Sequence, residues 1–143
     1  MLTNFMEEVK TMTATATGIG IARVGQIQIR TYDVERAAGF YENVLGLKLL
    51  FKAPPGLAFF DCGGVRLMLD RPEKQEFDHA SSILYFAVPD IIAAHARMKE
   101  SGARFEDEPH MIARMPNHDL WMTFFRDTED NLLALMSEVP HTA

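Results

Sequence analysis

The segment from Glu108 to Trp121 concentrates residues that can move protons. It holds His110 and His118, two of the five histidines, together with the only tryptophan. Histidine is the usual proton carrier near neutral pH, and Glu108 becomes a useful base only when it is partly desolvated. These residue types make Glu108 and His110 candidates for proton-transfer chemistry.

The two histidines are not expected to act together. If residues 116–119 form a hairpin turn, His110 pairs near Phe125 and His118 lies at the tip of the hairpin. His118 is then a turn residue, while His110 lies either in a pocket or on the surface. His79 and His95 stand among charged residues and are expected to be solvated.

Two other features that could carry chemistry are set aside. Cys62, the only cysteine, excludes an internal disulfide and is expected to be a small buried strand residue rather than a nucleophile. The Gly18 to Gly20 segment lacks both the third glycine and the preceding strand of a dinucleotide-binding loop.

The elements that position these residues occur twice in the chain. Each copy opens with a strand and a helix, at residues 26–33 and 34–45 and again at residues 83–90 and 91–101. Asp33 and Asp90 are suited to cap the helix starts. Gly46 and Gly102 stand where a helix favours a left-handed residue at its end.

Three strand-like runs follow each helix, which predicts an α+β fold of two βαβββ units whose mixed sheet forms a cup, with the helices on its outer face. The runs are residues 47–52, 57–62 and 65–69, and then 104–114, 120–126 and 132–136. The predicted organisation is an N-terminal extension (1–22, helical over 2–12), a first unit (23–71), a linker (72–81) and a second unit (82–139).

Alternation along the strands separates two faces. The helix-facing set is Ile27, Ile29, Leu67, Leu69, Leu84, Phe86, Val88, Leu133 and Leu135. The opposite face, called the cup face below, mixes apolar and hydrogen-bonding groups as small-molecule pockets do. The alternative is a face that is solvated at its polar positions and buried in a dimer at its apolar ones. The candidate substrate-binding residues on this face are Gln26, Gln28, Arg30, Arg66, Met68, Ile83, Ala134 and Met136. Trp121, from the segment between Glu108 and Trp121, is a further candidate for substrate binding. Tyr85 is a catalytic candidate together with His110 and Glu108.

Two motifs in register with this repeat resemble a known family. Residues 40–47 (FYENVLGL) resemble the FYxxvLGl signature of the glyoxalase, bleomycin-resistance and dioxygenase proteins, the vicinal oxygen chelate group. Residues 127–131 (DTEDN) resemble its DPDGN turn, with three of the five positions changed. The resemblance spans residues 24–139 and implies the cup-shaped fold.

The resemblance also implies four metal-ligand positions, one on the first and last strand of each unit. They fall on Gln26, Met68, Ile83 and Ala134. Only Gln26 is a ligand type that the family uses, and neither Ile nor Ala has a donor atom. A thioether suits soft copper(I) rather than harder divalent ions. No cofactor is therefore expected, with a divalent metal regrouped on His110, Glu108 and Glu138 left open.

Three functions remain open on this basis. The first is a lyase- or isomerase-type enzyme that lacks the standard metal site, so that metal-dependent glyoxalase I or ring-cleaving dioxygenase chemistry is not expected. The second is a protein that sequesters a drug or metabolite, as in the bleomycin-resistance branch. The third is a protein with only a dimeric or partner-binding role. The resemblance implies that the protein is a homodimer, whether it is an enzyme or a binding protein.

The overall charge bears on the partners. The net charge is −6, and no two basic residues are adjacent. This balance argues against nucleic acid and against anionic membranes as partners. The single cysteine and the lack of an apolar signal segment favour the cytoplasm.

Overall fold

The computed structural model describes residues 18–54 and 56–141; the helix expected at residues 2–12 lies outside them. In the first unit the strands form a mixed sheet in the order β1-β4-β3-β2, with β1 parallel to β4. The elements are β1 (Gln26–Arg30), helix α1 (Val34–Gly39), a π-helical turn (Phe40–Val44), β2 (Lys48–Ala53), β3 (Leu57–Cys62) and β4 (Val65–Asp70).

The second unit repeats this plan. Its sheet has the order β5-β9-β8-β6, β5 is parallel to β9, and β7 also pairs with β8. The elements are β5 (Leu84–Ala87), α2 (Ile91–Glu100), β6 (Arg104–Phe105), β7 (His110–Arg114), β8 (Asp119–Arg126) and β9 (Leu132–Val139). The α+β class and the two βαβββ units are confirmed, and the described strands form two mixed sheets.

Local sequence explains where the helices begin and end. Asp33 Oδ1 accepts a hydrogen bond from the Arg36 N–H, and Asp90 Oδ1 accepts one from the Ala93 N–H. Gly46 and Gly102 have positive φ values of 71° and 92°. The predicted caps are confirmed, although the first helix widens into a π-helical turn after Gly39 instead of continuing as an α-helix to Leu45.

One hydrophobic core serves both units. It is formed by the helix-facing side of both sheets and by the buried faces of the helices. Every residue predicted to face the helices belongs to this core or packs against it, so that face assignment is confirmed. Since both sheets turn the same kind of face to the shared core, both cup faces point away from it.

The turn between β8 and β9 joins the units. Glu129 accepts hydrogen bonds from the N–H groups of Tyr32 and Asp33 and forms a two-point ion pair with Arg36, at 2.9 and 3.1 Å. The buried Asp127 accepts a 2.8 Å hydrogen bond from the Tyr41 hydroxyl. The segment that resembles the family turn therefore fixes the second unit to the start of the first helix.

Three sequence expectations are wrong. The single strand expected over residues 104–114 is two short strands, β6 and β7. His110 pairs with Met122 rather than near Phe125, because the β7–β8 turn begins one residue earlier, at Met115, and the register shifts between Met111 and Ala113. His95 is not solvated: only 7% of it is exposed, because the ring of Phe105 packs against it with centroids 4.2 Å apart.

Candidate functional site

The cup face of the first sheet consists of three rows of side chains that run across its four strands. The cross-strand register defines them, because residues paired across a sheet share a face. The rows are Gln26, Arg66, Asp61 and Lys48; Gln28, Met68, Phe59 and Phe51; and Arg30, Asp70, Leu57 and Ala53. The first row is polar, and the second carries a stacked aromatic pair, Phe51 and Phe59, at 4.5 Å.

Arg66 is held in the first row by two contacts. Its Nε donates a 2.8 Å hydrogen bond to Gln26 Oε1, and its guanidinium carbon lies 5.1 Å from the centre of the Phe59 ring. The Gln26 amide nitrogen in turn lies 3.6 Å from the Met68 sulfur. Three residues predicted to bind substrate, Gln26, Arg66 and Met68, are therefore brought into direct contact.

A groove of about 560 Å³ lies at the other end of this face. The linker covers it, and Leu57, Met68 and Asp70 form its floor. Asp70 accepts a 3.0 Å hydrogen bond from Gln28 Nε2. Burial and the nearby charge of Glu73 raise the pKa of Asp70 above its usual value. Arg30 lies in the same row and forms an ion pair with Asp78 at 3.4 Å.

The cup face of the second sheet is mainly apolar. Its rows are Leu132, Arg126 and Arg104; Tyr85, Ala134 and Phe124; Ala87, Met136, Met122 and His110; and Glu138, Leu120 and Ala113. Tyr85 is 46% exposed and packs edge-on against Phe124, with centroids 5.8 Å apart. Ile83 directly precedes β5 and is also exposed. The predicted residues Tyr85, Ala134 and Met136 thus lie on one sheet face with Ile83 next to it, although Ala134 is buried.

The three catalytic candidates do not converge. His110 shares the cup face with Met122, and its Nδ1 lies 2.8 Å from the carbonyl oxygen of Glu108. The Glu108 carboxylate points instead towards α2, 3.7 Å from His95 and 3.8 Å from Lys99. The Glu108 carboxylate and the His110 ring, both candidates for proton transfer, therefore do not form one site.

Trp121 also lies apart from the other predicted binding residues. It pairs with Ser137 and packs against the shared core, on the helix side of the sheet. There it lines a smaller cavity of about 270 Å³ at the start of α2, with Ile91 and Pro140 among its neighbours. Neither this cavity nor the groove takes residues from both cup faces.

The side chains at the four ligand positions do not fit a divalent cation. Ala134 is fully buried and has no donor atom, and Ile83 is equally inert. The one suitable donor, Gln26 Oε1, already accepts a hydrogen bond from the cationic Arg66. The regrouped metal site is also unsupported, because Glu138 lies 3.8 Å from His118 while Glu108 contacts α2. No group of three or more His, Cys, Asp or Glu side chains suited to a metal occurs in residues 18–54 and 56–141.

Comparison with known proteins agrees with this architecture. The family model of the glyoxalase/bleomycin resistance protein/dioxygenase superfamily matches residues 23–135. The chain belongs to this superfamily. No helix in the described part of this superfamily member is long and apolar enough to cross a membrane.

Solved structures of the superfamily share the fold at low sequence identity. A lactoylglutathione lyase from Agrobacterium tumefaciens is 23% identical with a TM-score of 0.65, over 81% of this chain and 93% of that one. An antibiotic-binding protein from a Streptomyces species is 23% identical with a TM-score of 0.68, over 85% and 99%. A superfamily member from Sphaerobacter thermophilus is 24% identical with a TM-score of 0.69, over 82% and 98%. Enzymes and binding proteins are thus both similar in structure to this chain.

Sequence reasoning missed several residues of the cup faces. Neither Phe51 nor Phe59 is among the residues assigned to the cup face from the sequence, and the strand predicted over residues 65–69 ends before Asp70. The alternation that identified Arg66 and Met68 also reaches Asp70, two residues further on, so extending the strand by one residue would have found it. The stacking of Phe51 on Phe59 depends on a shift in the β2–β3 register, which no sequence pattern signals.

Proposed function

We propose that this protein binds a small, largely apolar organic molecule between its cup faces and that its primary role is binding rather than catalysis. The observation that carries the proposal is the apolar surface formed by the exposed Ile83 and Tyr85 beside the half-buried Phe124 and Met136, on a sheet face that the shared core does not use. An apolar surface with few polar groups is the usual composition of a small-molecule site. The antibiotic-binding relative supports this choice by analogy of fold.

We further propose that a second copy of the chain completes the site. Within one chain both cup faces point away from the common core, so neither covers the other. The first sheet offers charged groups such as Arg66 and Lys48, and the second offers mainly apolar ones. A two-fold dimer that sets the first sheet of each copy against the second sheet of the other would create two equal cups. Light scattering coupled to size-exclusion chromatography should give the mass of a dimer; a monomer at all concentrations contradicts this arrangement.

The cytoplasmic location stays a prediction.

The binding role is tested by titrating a panel of neutral aromatic compounds into chelator-treated protein by calorimetry. Tyr85→Ala should weaken binding about ten-fold, because it removes an exposed ring from the proposed site. Ile92→Ala is the matched control, since Ile92 is 58% exposed on α2, away from both cup faces. Equal affinities for wild type, Tyr85→Ala and Ile92→Ala would contradict the proposal.

A lyase- or isomerase-type activity is the second candidate, and Asp70 favours it. A carboxyl group with a raised pKa in the lining of a groove can exchange a proton with a bound molecule. Asp70→Asn would then abolish turnover and leave ligand affinity nearly unchanged. Turnover that survives this substitution removes Asp70 from the mechanism.

A further inference from the structure

The first sheet holds a fixed cation where the superfamily's divalent ion would be expected. Gln26, the one ligand-type residue retained at the four ligand positions, gives its amide oxygen to Arg66 Nε at 2.8 Å. A divalent ion at that oxygen would be repelled by the guanidinium, since like charges only a few ångströms apart disfavour each other. Arg66 therefore disfavours a divalent ion at this position, in addition to the missing donor atoms at Ile83 and Ala134.

The guanidinium is oriented but not neutralised. The Nε bond to Gln26 and the packing over Phe59 fix its plane. Among the described residues it forms no ion pair with a carboxylate: Asp61, its cross-strand neighbour, accepts a hydrogen bond from the Gly64 N–H instead. The two terminal nitrogens of Arg66 are thus left with donors for a group that comes from outside the chain.

The surroundings set the charge and shape of that group. The three rows of this cup face carry three cations, Arg30, Lys48 and Arg66, against two carboxylates, in a chain whose net charge is −6. Next to Arg66 lies the row of Met68 and the stacked rings of Phe59 and Phe51, the last of which is 48% exposed. A guanidinium group beside a flat apolar surface is complementary to a planar organic acid.

We propose that Arg66 anchors the carboxylate of a small aromatic or similarly flat organic acid, so that a guanidinium replaces the metal ion as the positive centre of the cup. This inference rests on the proposed binding function and names the class of ligand for it. The terminal nitrogens donate to the two carboxylate oxygens, and the apolar body of the acid lies on Phe51 and Met68. Gln26 is a positioning residue, because it acts on the ligand only by holding Arg66.

The test compares benzoate with benzamide, which has the same ring and no charge, by calorimetry on chelator-treated protein. Wild type should bind benzoate roughly ten- to hundred-fold more tightly than benzamide, as expected for a charge-assisted hydrogen-bonded pair. Arg66→Gln should abolish this preference and leave benzamide affinity unchanged. Arg66→Lys should retain part of it, since an ammonium supplies the charge but not the two-point geometry. Arg97→Gln, on the exposed side of α2, is the control and should retain all of it.

The outcomes separate the two proposals. If benzamide binds and depends on Tyr85, but benzoate is not preferred or the preference survives Arg66→Gln, the role of Arg66 is wrong and the binding function stands. If neither compound binds to wild type, this inference is overturned, and the binding function is then judged on the wider panel of neutral compounds alone. Circular dichroism of Arg66→Gln verifies that any loss does not come from unfolding.

Discussion

At the scale of single residues, Glu129 is the most heavily bonded side chain in the structure. Although burial raises its pKa, hydrogen bonds from Arg36, Thr128 and the N–H groups of Asp33 and Tyr32 lower it from 4.5 to about 2. Its side chain is inaccessible to solvent. A carboxylate with so many donors is costly to protonate or remove. Glu129 should therefore contribute strongly to the stability of the joint, which is the contact between the β8–β9 turn of the second unit and the start of α1 in the first.

Glu129→Gln should lower the free energy of unfolding by about 2 kcal/mol at neutral pH, because an uncharged amide weakens the Arg36 pair and presents hydrogens to N–H donors. The folded pKa lies below the unfolded one, so the stabilisation is complete above pH 4.5 and is lost as the pH falls towards 2. Urea unfolding should therefore show wild type and variant converging in acid.

Glu106→Gln provides the control for this experiment. Glu106 pairs with Arg126 at 2.8 Å, but both side chains are at least one-third exposed. Such surface pairs contribute little, so this variant should stay close to wild type. A gap between wild type and Glu129→Gln that does not change with pH would contradict the assigned role of the carboxylate.

Tyr41 makes a second buried contact across the joint. Burial, followed by the charge of Asp127, raises the pKa of Tyr41 well above 10. Tyr41→Phe removes the 2.8 Å hydrogen bond to Asp127 and should cost about 1 to 2 kcal/mol in thermal or chemical unfolding. Tyr85→Phe is the matched control, since its ring is exposed on the cup face. Equal stability of the two variants would contradict a structural role for the Tyr41 hydroxyl.

At the scale of elements, Gly39 and Gly46 have opposite backbone conformations, one inside the first helical segment and one just after it. Gly39 has φ −60° and ψ −41°, whereas Gly46 has φ +71°; an added Cβ would meet no atom within 4 Å at either position. Gly39→Ala should therefore stabilise the protein by about 0.5 to 1 kcal/mol. Gly46→Ala should destabilise it by about 1 kcal/mol because of backbone strain alone. Thermal unfolding shifts of the same sign for both variants would contradict this assignment.

The sequence predicts those elements whose determinants are local. Asp33, Asp90, Gly46 and Gly102 fix the helix ends through their own conformational preferences, and period-two alternation fixes the strand faces. The register of β7 could not be predicted, because the shift near Ile112 depends on which partner residues pack across the hairpin. The burial of His95, which lies on α2, likewise depends on contact with Phe105 of β6.

The candidate site is predicted in the same uneven way. Alternation placed Gln26, Arg66 and Met68 on one face, where they are in contact. Trp121 was chosen for its residue type and not for its position in the alternation, and it lies on the other face. Glu108 was placed near His110 by sequence distance, yet its side chain turns towards α2. Chemistry inferred from proximity along the chain therefore fails where a short connection reverses the direction of a side chain.

At the scale of the whole molecule, the two units differ in what they offer to a ligand. They share one core and one joint, but the first cup face is rich in charged groups and the second is mainly apolar. Since only one of the four ligand positions, Gln26, holds a donor suited to a divalent ion, and that donor is bonded to Arg66, we expect the affinity to come from these two surfaces. We therefore propose that a small organic molecule binds on the cup faces of both sheets without help from a divalent ion.

Amide chemical-shift mapping tests that claim most directly. Isotope-labelled, chelator-treated protein is titrated with a compound that binds in the calorimetric panel, and the shifted amides are assigned. We expect the largest shifts in β1 and β4 of the first sheet and in β5 and β9 of the second. Shifts confined to the start of α2 around Ile91 and Trp121, or shifts that appear only after a divalent metal is added, would contradict it.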